Sequence, residues 1–353
     1  MQSIRSADTS DALFEDVHVV KLPRRRFGYR GNVGDIVQLN DGRLLLSYTC
    51  NDDSPGDSID VGDIMGRVSN EGGKTWGEPF LLISRPKPYR KDEGYWHPSF
   101  LRLANGQLLM SYIYFAGSLP RYAHSYYRRS TDDGATWGDQ LIVTPHAGTN
   151  HVFNDKLIQL PSGRILASCE REIKEEGGDH RGYVSLVFYS DDDGYSWWQS
   201  DNVVDTLPVE AQEPHVVQLK DGRLMMLCRT YSEYIVRSYS EDEGATWSTG
   251  EHVRSLKLSS NSSALNVKRI PSTGDLLLLR STETKNRLRT PFVSVVSTDE
   301  GDTWIHEREI GSDPEDDYGY PSLTFVNDMA LVSYHKRDGI CVARIGIDWF
   351  YGK

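Results

Sequence analysis

One eight-residue pattern, written five times along the chain, constrains its folding more than any other feature. Ser69–Trp76 (SNEGGKTW), Ser130–Trp137 (STDDGATW), Ser190–Trp197 (SDDDGYSW), Ser240–Trp247 (SEDEGATW) and Ser297–Trp304 (STDEGDTW) share the form Ser-x-Asp-x-Gly-x-Thr-Trp, with Glu71 for Asp in the first and Ser196 for Thr in the third. The chemistry of the pattern is that of a hairpin turn. Ser and Asp oxygens accept local backbone N–H groups, Gly takes a positive φ, and Trp caps the apolar layer underneath. The tryptophans fall 61, 60, 50 and 57 residues apart, a period that belongs to repeat architectures.

A second repeat alternates with the first: two apolar strands around a tight turn. It reads DIVQLNDGRLLLSY at Asp35–Tyr48, SFLRLANGQLLMSY at Ser99–Tyr112, KLIQLPSGRILASC at Lys156–Cys169 and HVVQLKDGRLMMLC at His215–Cys228, with degenerate copies at Ala264–Leu279 and Ser322–Tyr334. Period-two apolar alternation interrupted by Asp-Gly, Asn-Gly or Ser-Gly marks a β-hairpin. Six such hairpins, all but the last followed by a strand pair around the octapeptide, predict an all-β, six-bladed β-propeller with residues 1–353 as one domain. The sixth hairpin has no octapeptide after it, so strands from both chain ends, Val17–Leu22 and Ile340–Ile347, are expected to complete that blade and close the ring. Loss of either terminus should then unfold the whole ring.

Composition removes several partner classes. Lys+Arg 39 against Asp+Glu 51 leaves a net charge of -12, and no basic run exceeds Arg24-Arg25-Arg26, so no nucleic-acid partner is expected. No apolar run approaches the roughly 18–20 residues of a membrane helix, and no membrane partner is expected. The first eight residues lack the apolar stretch of a secretory signal, which points to the cytoplasm, or to a secreted or periplasmic protein whose signal has been trimmed. Cys50, Cys169, Cys228 and Cys341 lie far apart in apolar runs without CxxC spacing. They read as buried thiols. Without HxH or HExxH spacing no metal is expected, and no cofactor is implied.

Five S-x-D-x-G-x-T-W turns on six blades resemble the Asp-box (BNR-repeat) propellers of the sialidase, or neuraminidase, superfamily, over nearly the whole chain. The resemblance implies a pore that takes an oligosaccharide or glycoconjugate and an exo-glycoside hydrolase that removes a terminal, acidic sugar. In that family an arginine triad grips the substrate carboxylate, a glutamate-activated tyrosine is the nucleophile, and an aspartate on a loop is the acid/base. By position, Glu213, which opens the segment Glu213–Arg229, corresponds to the base partner and Arg229 to the second arginine. Tyr320, in Gly319-Tyr320-Pro321-Ser322-Leu323, corresponds to the nucleophile. Arg289, with Arg287 as rival, falls at the third arginine, and Asp57, with Asp60 second, at the acid/base. A neutral phenol attacking the anomeric carbon avoids setting a carboxylate against an anionic sugar.

The sequence departs from the family pattern at two linked places. Arg30-Gly31-Asn32-Val33-Gly34 puts Asn32 at the first arginine's position and displaces Arg30 by two residues, while His335 stands where that arginine's glutamate partner is expected. A rebuilt subsite is implied, with Arg30 and His335 as candidate substrate contacts.

Two other readings stay open. His97, His151, His215 and His335 all lie near inner-strand ends, and with Tyr and Arg such a set suits a propeller lyase acting on a uronate. A glycan-binding propeller without catalysis is the other. Glu170 could pair with Glu213 as in hydrolases that use two glutamates, the carboxyl separation then deciding the stereochemistry. Asp35, Asp92, Glu93 and Asp155 are further acidic candidates at the pore, and Tyr95, Trp96, Tyr112, Tyr114, Phe115 and Tyr318 are candidates for stacking on sugar rings. Nothing in the sequence specifies an oligomeric state.

Overall fold

The computed structural model describes residues 13–24, 29–50, 61–90, 93–117, 122–175, 180–256, 258 and 264–353. Among these the regular structure is β, joined by three short 3-10 turns. The strands form six antiparallel blades. From the inside outward, blade 1 is Gly34–Gln38, Leu44–Cys50, Asp63–Ser69 and Phe80–Ile83, and blade 2 is Glu93–Arg102, Leu108–Ala116, Tyr122–Ser130 and Leu141–Ile142. In blade 3 the innermost strand is split: Asn150–His151 and Leu157–Gln159 both pair with Ile165–Lys174, followed by His180–Ser190 and Trp198–Gln199. Blade 4 is Gln212–Gln218, Leu224–Arg229, Val236–Ser240 and Glu251–His252; blade 5 is Asn266–Arg269, Leu276–Ser281, Phe292–Ser297 and Ile305–Gly311. Neighbouring blades touch in ring order, and the inner strand of the sixth touches that of the first.

Blade 6 closes the ring as the two chain ends predict. Gly319–Val326, Met329–Lys336 and Gly339–Gly346 are followed by the N-terminal strand Phe14–Lys21 as the outermost member, in register from Phe14 opposite Ile345 to Lys21 opposite Gly339. The strand starts a little earlier than the apolar pattern implies. Across the closure, Ser333 Oγ donates to the Gly34 carbonyl (2.8 Å) and Thr324 Oγ1 to that of Ile36 (2.6 Å).

The octapeptides sit between the third and outermost strands, where their chemistry is as the sequence predicts. In the second, Ser130 Oγ accepts the Gly134 N–H (2.8 Å), Asp132 Oδ1 accepts the Thr136 N–H (2.9 Å), and Gly134 has φ 87. Each turn does more than hold its own hairpin. A Cβ on Gly134 would lie 3.4 Å from Leu45 of blade 1, and one on Gly244 3.3 Å from Leu166 of blade 3, so each turn packs on the blade before it. Apolar layers such as Leu109, Cys169, Leu186 and Phe188 fill the space between blades. Cys169, Cys228 and Cys341 are buried free thiols; the Cys50 side chain lies outside the described residues.

Where the inner strands converge, one polar cluster draws on all six blades. Asp155 Oδ2 accepts Asn266 Nδ2 (2.7 Å) and the Leu323 N–H (2.8 Å), while Lys268 Nζ donates to Oδ1. The Asp155 N–H donates to Ser99 Oγ (2.8 Å), its carbonyl accepts from His215 Nε2 (2.7 Å), and Ser99 Oγ donates to Asp35 Oδ2 (2.9 Å). Asp35, Asp155 and His215, candidates for the substrate pore, are instead members of this hub.

Candidate active site

Three inner strands carry the same device. Trp96-His97-Pro98, Gln212-Glu213-Pro214 and Gly319-Tyr320-Pro321 each place a residue before proline, a position biased away from the right-handed helical region. His97, Glu213 and Tyr320 take φ of 52, 47 and 48, and the register slips at Trp96/Ser99, Gln212/His215 and Gly319/Ser322. Each left-handed non-glycine residue costs about 1–3 kcal/mol and persists only where its surroundings hold it. The consequence is convergence from blades 2, 4 and 6: Tyr320 Oη donates to Glu213 Oε1 at 2.8 Å, and the His97 ring lies 4.7 Å from that of Tyr320.

Electrostatics orders the proton on this pair. Burial alone would raise the Glu213 carboxyl, but the charges of Arg229 and Arg289 outweigh it and hold it below its ordinary value. Burial and the Glu213 charge push the Tyr320 phenol well up. The proton therefore rests on Tyr320, hydrogen-bonded to an ionised acceptor. Arg229 Nη1 donates to Glu213 Oε1 at 3.0 Å, and Arg289 Cζ lies 5.3 Å above the Tyr320 ring. Arg287, the rival of Arg289, contributes its carbonyl to Arg30.

The displaced Arg30 returns to the site through the 3-10 turn Tyr29–Gly31. Its Nε donates to Asp317 Oδ2 at 2.7 Å, the Tyr29 hydroxyl reaches the same oxygen at 2.7 Å, and Asp317 Oδ1 accepts the Arg289 N–H at 2.8 Å. Burial opposes ionisation of Asp317, yet His335, Arg289 and Arg30 hold its carboxyl far below the usual range. His335 is fully buried with Nε2 3.7 Å from Asp317 Oδ2, its ring 5.8 Å from that of Tyr320. Asn32 is buried, and neither amide atom has a hydrogen-bond partner among the described residues.

Beside Tyr320 opens a cavity of about 190 Å³. Trp96, Phe115, Phe153, Tyr183 and Tyr231 form its apolar wall, and His151, Glu170, Gln212, Glu213, Arg229 and Tyr320 its polar one. Glu170 is tied to the backbone of Glu213. One oxygen meets His151 Nδ1 (3.3 Å) and the other accepts the Glu213 backbone N–H (3.0 Å). Of the stacking candidates, Trp96 and Phe115 reach the cavity, whereas Tyr95, Tyr112 and Tyr318 are buried in the core. Tyr114 bonds Glu93, Asp92 lies outside the described residues, and so do Asp57 and Asp60.

His97 has a defined tautomer. Asn154 Nδ2 donates to the Tyr320 carbonyl (2.9 Å), which turns Asn154 Oδ1 toward His97 Nδ1 (2.9 Å) and makes that nitrogen the donor. Nε2 carries the lone pair and has no partner among the described residues. Sequence reasoning missed Phe153, which stacks on Tyr320 at 5.7 Å, as well as Asn154 and Asp317. Asp317 closes the acidic run Asp313-Pro314-Glu315-Asp316-Asp317, which reads as a solvated loop.

Residues 54–332 match the BNR repeat-like domain family. A sialidase of Micromonospora viridifaciens is 27% identical over 347 residues, covering 88% of this chain and 50% of that protein, so the chain spans about half the length of this relative. A Clostridium perfringens sialidase is 25% identical over 346 residues, covering 87% of this chain and 86% of its own. A solved Dyadobacter fermentans protein of unknown function shares the fold with a TM-score of 0.75 at 20% identity, over 95% of this chain and 100% of that one. With that domain spanning most of a six-bladed propeller stitched by Asp-box turns, the chain belongs to the BNR repeat-like family of the sialidase superfamily.

Proposed function

We propose that the chain is a sialidase-like exo-glycoside hydrolase that removes a terminal acidic sugar from an oligosaccharide or glycoconjugate. One observation carries the reading: a buried Tyr320 hydroxyl donating at 2.8 Å to a Glu213 carboxylate that Arg229 holds ionised, at the wall of a cavity. In the first step Tyr320 Oη bonds to the anomeric carbon as the glycosidic C–O bond breaks. The phenolic proton passes to Glu213, and the leaving oxygen takes a proton from an acid/base, the role assigned to Asp57 or Asp60. Water then attacks the anomeric carbon and gives a proton to the acid/base carboxylate, while the tyrosyl–sugar bond breaks and Glu213 returns the phenolic proton to Tyr320. Arg229, Arg289 and Arg30 hold the carboxylate of the substrate, with Glu170 on the cavity wall and His97 behind Tyr320.

Release of an aryl aglycone from an α-sialoside, beside uronosides and arabinosides, tests the reading. Turnover of the sialoside that disappears in Tyr320→Phe, with the melting temperature kept, is expected. A mutant as active as the wild type would remove Tyr320 as nucleophile. Ultraviolet absorbance from an unsaturated product would assign a lyase instead, and saturable binding without product a glycan-binding protein.

A further inference from the structure

We propose that Asp317 is a positioning residue that sets Arg30 and Arg289 for the carboxylate of the substrate; this rests on the hydrolase reading above. The chain has changed both halves of an expected pair, with Asn32 in place of an arginine and His335 in place of its carboxylate. Asp317 answers both changes at once. Its side chain is 0% exposed, and its two oxygens take the Tyr29 hydroxyl, Arg30 Nε and the Arg289 N–H. It thereby joins the turn leading into blade 1 to the edge of blade 5 and the start of blade 6.

The joint aims charge as well as backbone. The Arg289 guanidinium lies over the Tyr320 ring, and its Nη1 has no hydrogen-bond partner among the described residues, a buried donor that is costly unless something accepts from it. Gly319 makes this close approach possible, since a Cβ there would stand 3.1 Å from Arg289 Nη1 and 3.2 Å from His335 Cε1. Burial outweighs the pull of Asp317 and keeps His335 neutral, so it adds no charge. Among the arginines and the two carboxylates that they meet, three guanidinium charges against Asp317 and Glu213 leave an excess of one positive charge. A monoanion with two acceptor oxygens balances it, and the planar arginine forks fit that geometry.

Charge and positioning predict opposite signs for Asp317→Asn. By charge alone, removing a carboxylate tightens the binding of an anion; by loss of positioning, it weakens it. Calorimetric titration of the full chain with N-acetylneuraminic acid and with glucuronic acid, beside kcat and KM on an aryl α-sialoside, is run on wild type, Asp317→Asn, Arg30→Gln and the double variant, each checked by thermal unfolding. Each single change is expected to raise Kd about tenfold and move KM more than kcat, and the double to be no more than about twofold weaker than either, because the two residues act as one unit. Should Asp317→Asn not fold, Arg30→Gln decides, its side chain being 31% exposed: a tenfold rise supports the inference and an unchanged Kd overturns it. Asp317→Asn binding as tightly as wild type, or single effects that multiply in the double, overturns the inference alone. A wild type that binds neither sugar acid overturns the proposed function and this inference with it.

Discussion

His97 illustrates how burial converts a titratable side chain into a fixed one. Burial, only partly opposed by the Asn154 hydrogen bond, pushes its pKa from 6.5 to about 3. Below pH 6.5 the unfolded chain takes up a proton that the folded one refuses, so this contribution to stability is complete above that pH and declines as pH falls toward 3. His215, lowered for the same reason, adds the same sign, while Asp35, raised to about 6 by burial and Asp155, acts oppositely. Glu213 and Asp317 lose their contributions only below the ordinary carboxylate values, and between pH 7 and 5 four lowered histidines, His97, His124, His215 and His335, act against the two raised carboxyls of Asp35 and Glu170. The melting temperature is expected to fall across that window, and less steeply in His97→Gln; equal slopes in the two proteins would show that His97 is not a source of the dependence. The two histidines look alike in the sequence and end in different places. His97 occupies the bulged position before proline and reaches Tyr320; His215 follows the proline of its own bulge and bonds the hub. A bulge shifts which face a side chain takes, and a one-residue change of phase redirects the group.

Elements whose bonds are local were legible from the sequence. The hydrogen bonds that shape the octapeptide turn, those of its Ser Oγ and Asp carboxylate, span four residues or fewer, which is why five copies could be read as turns without any tertiary information. The closing strand was legible only as an absence, the octapeptide missing after the sixth hairpin. Its seating rests on Gly339, which pairs with Lys21 at φ 143 and would set a Cβ 1.7 Å from the Val20 carbonyl oxygen. Gly339→Ala must therefore move the backbone of the closing strand, at an expected cost of about 2–4 kcal/mol. Gly42→Ala is the fitting control, since φ there is 88 but a Cβ meets nothing within 4 Å. Chemical denaturation of both variants checks this; a loss at Gly339 no greater than at Gly42 would mean the strand seats without the close approach.

At the scale of the whole molecule, the ring is held at its centre as well as at its seam. Asp155 accepts from Asn266, Lys268 and the Leu323 N–H, linking blade 3 to blades 5 and 6 through one buried carboxylate. Asp155→Ala leaves the Lys268 charge without that partner and is expected to cost about 3–5 kcal/mol, while Asp302→Ala, at a side chain 75% exposed, stays within about 0.5 kcal/mol. Thermal unfolding that fails to separate the two variants would dismiss the hub as a stabilising feature. By itself the sequence determined the all-β class, the six blades, the turn chemistry and the strands that close the ring, because alternation and turn geometry are decided within a few residues of chain. It also marked Tyr320 and Glu213, which lie on inner strands, and Arg229, which ends the second strand of blade 4. Only the tertiary structure decided that Tyr320 meets Glu213 across 107 residues and that Arg30 meets Asp317 across 287. Such contacts depend on the twist of every blade and on closure of the ring, and no local pattern carries that information.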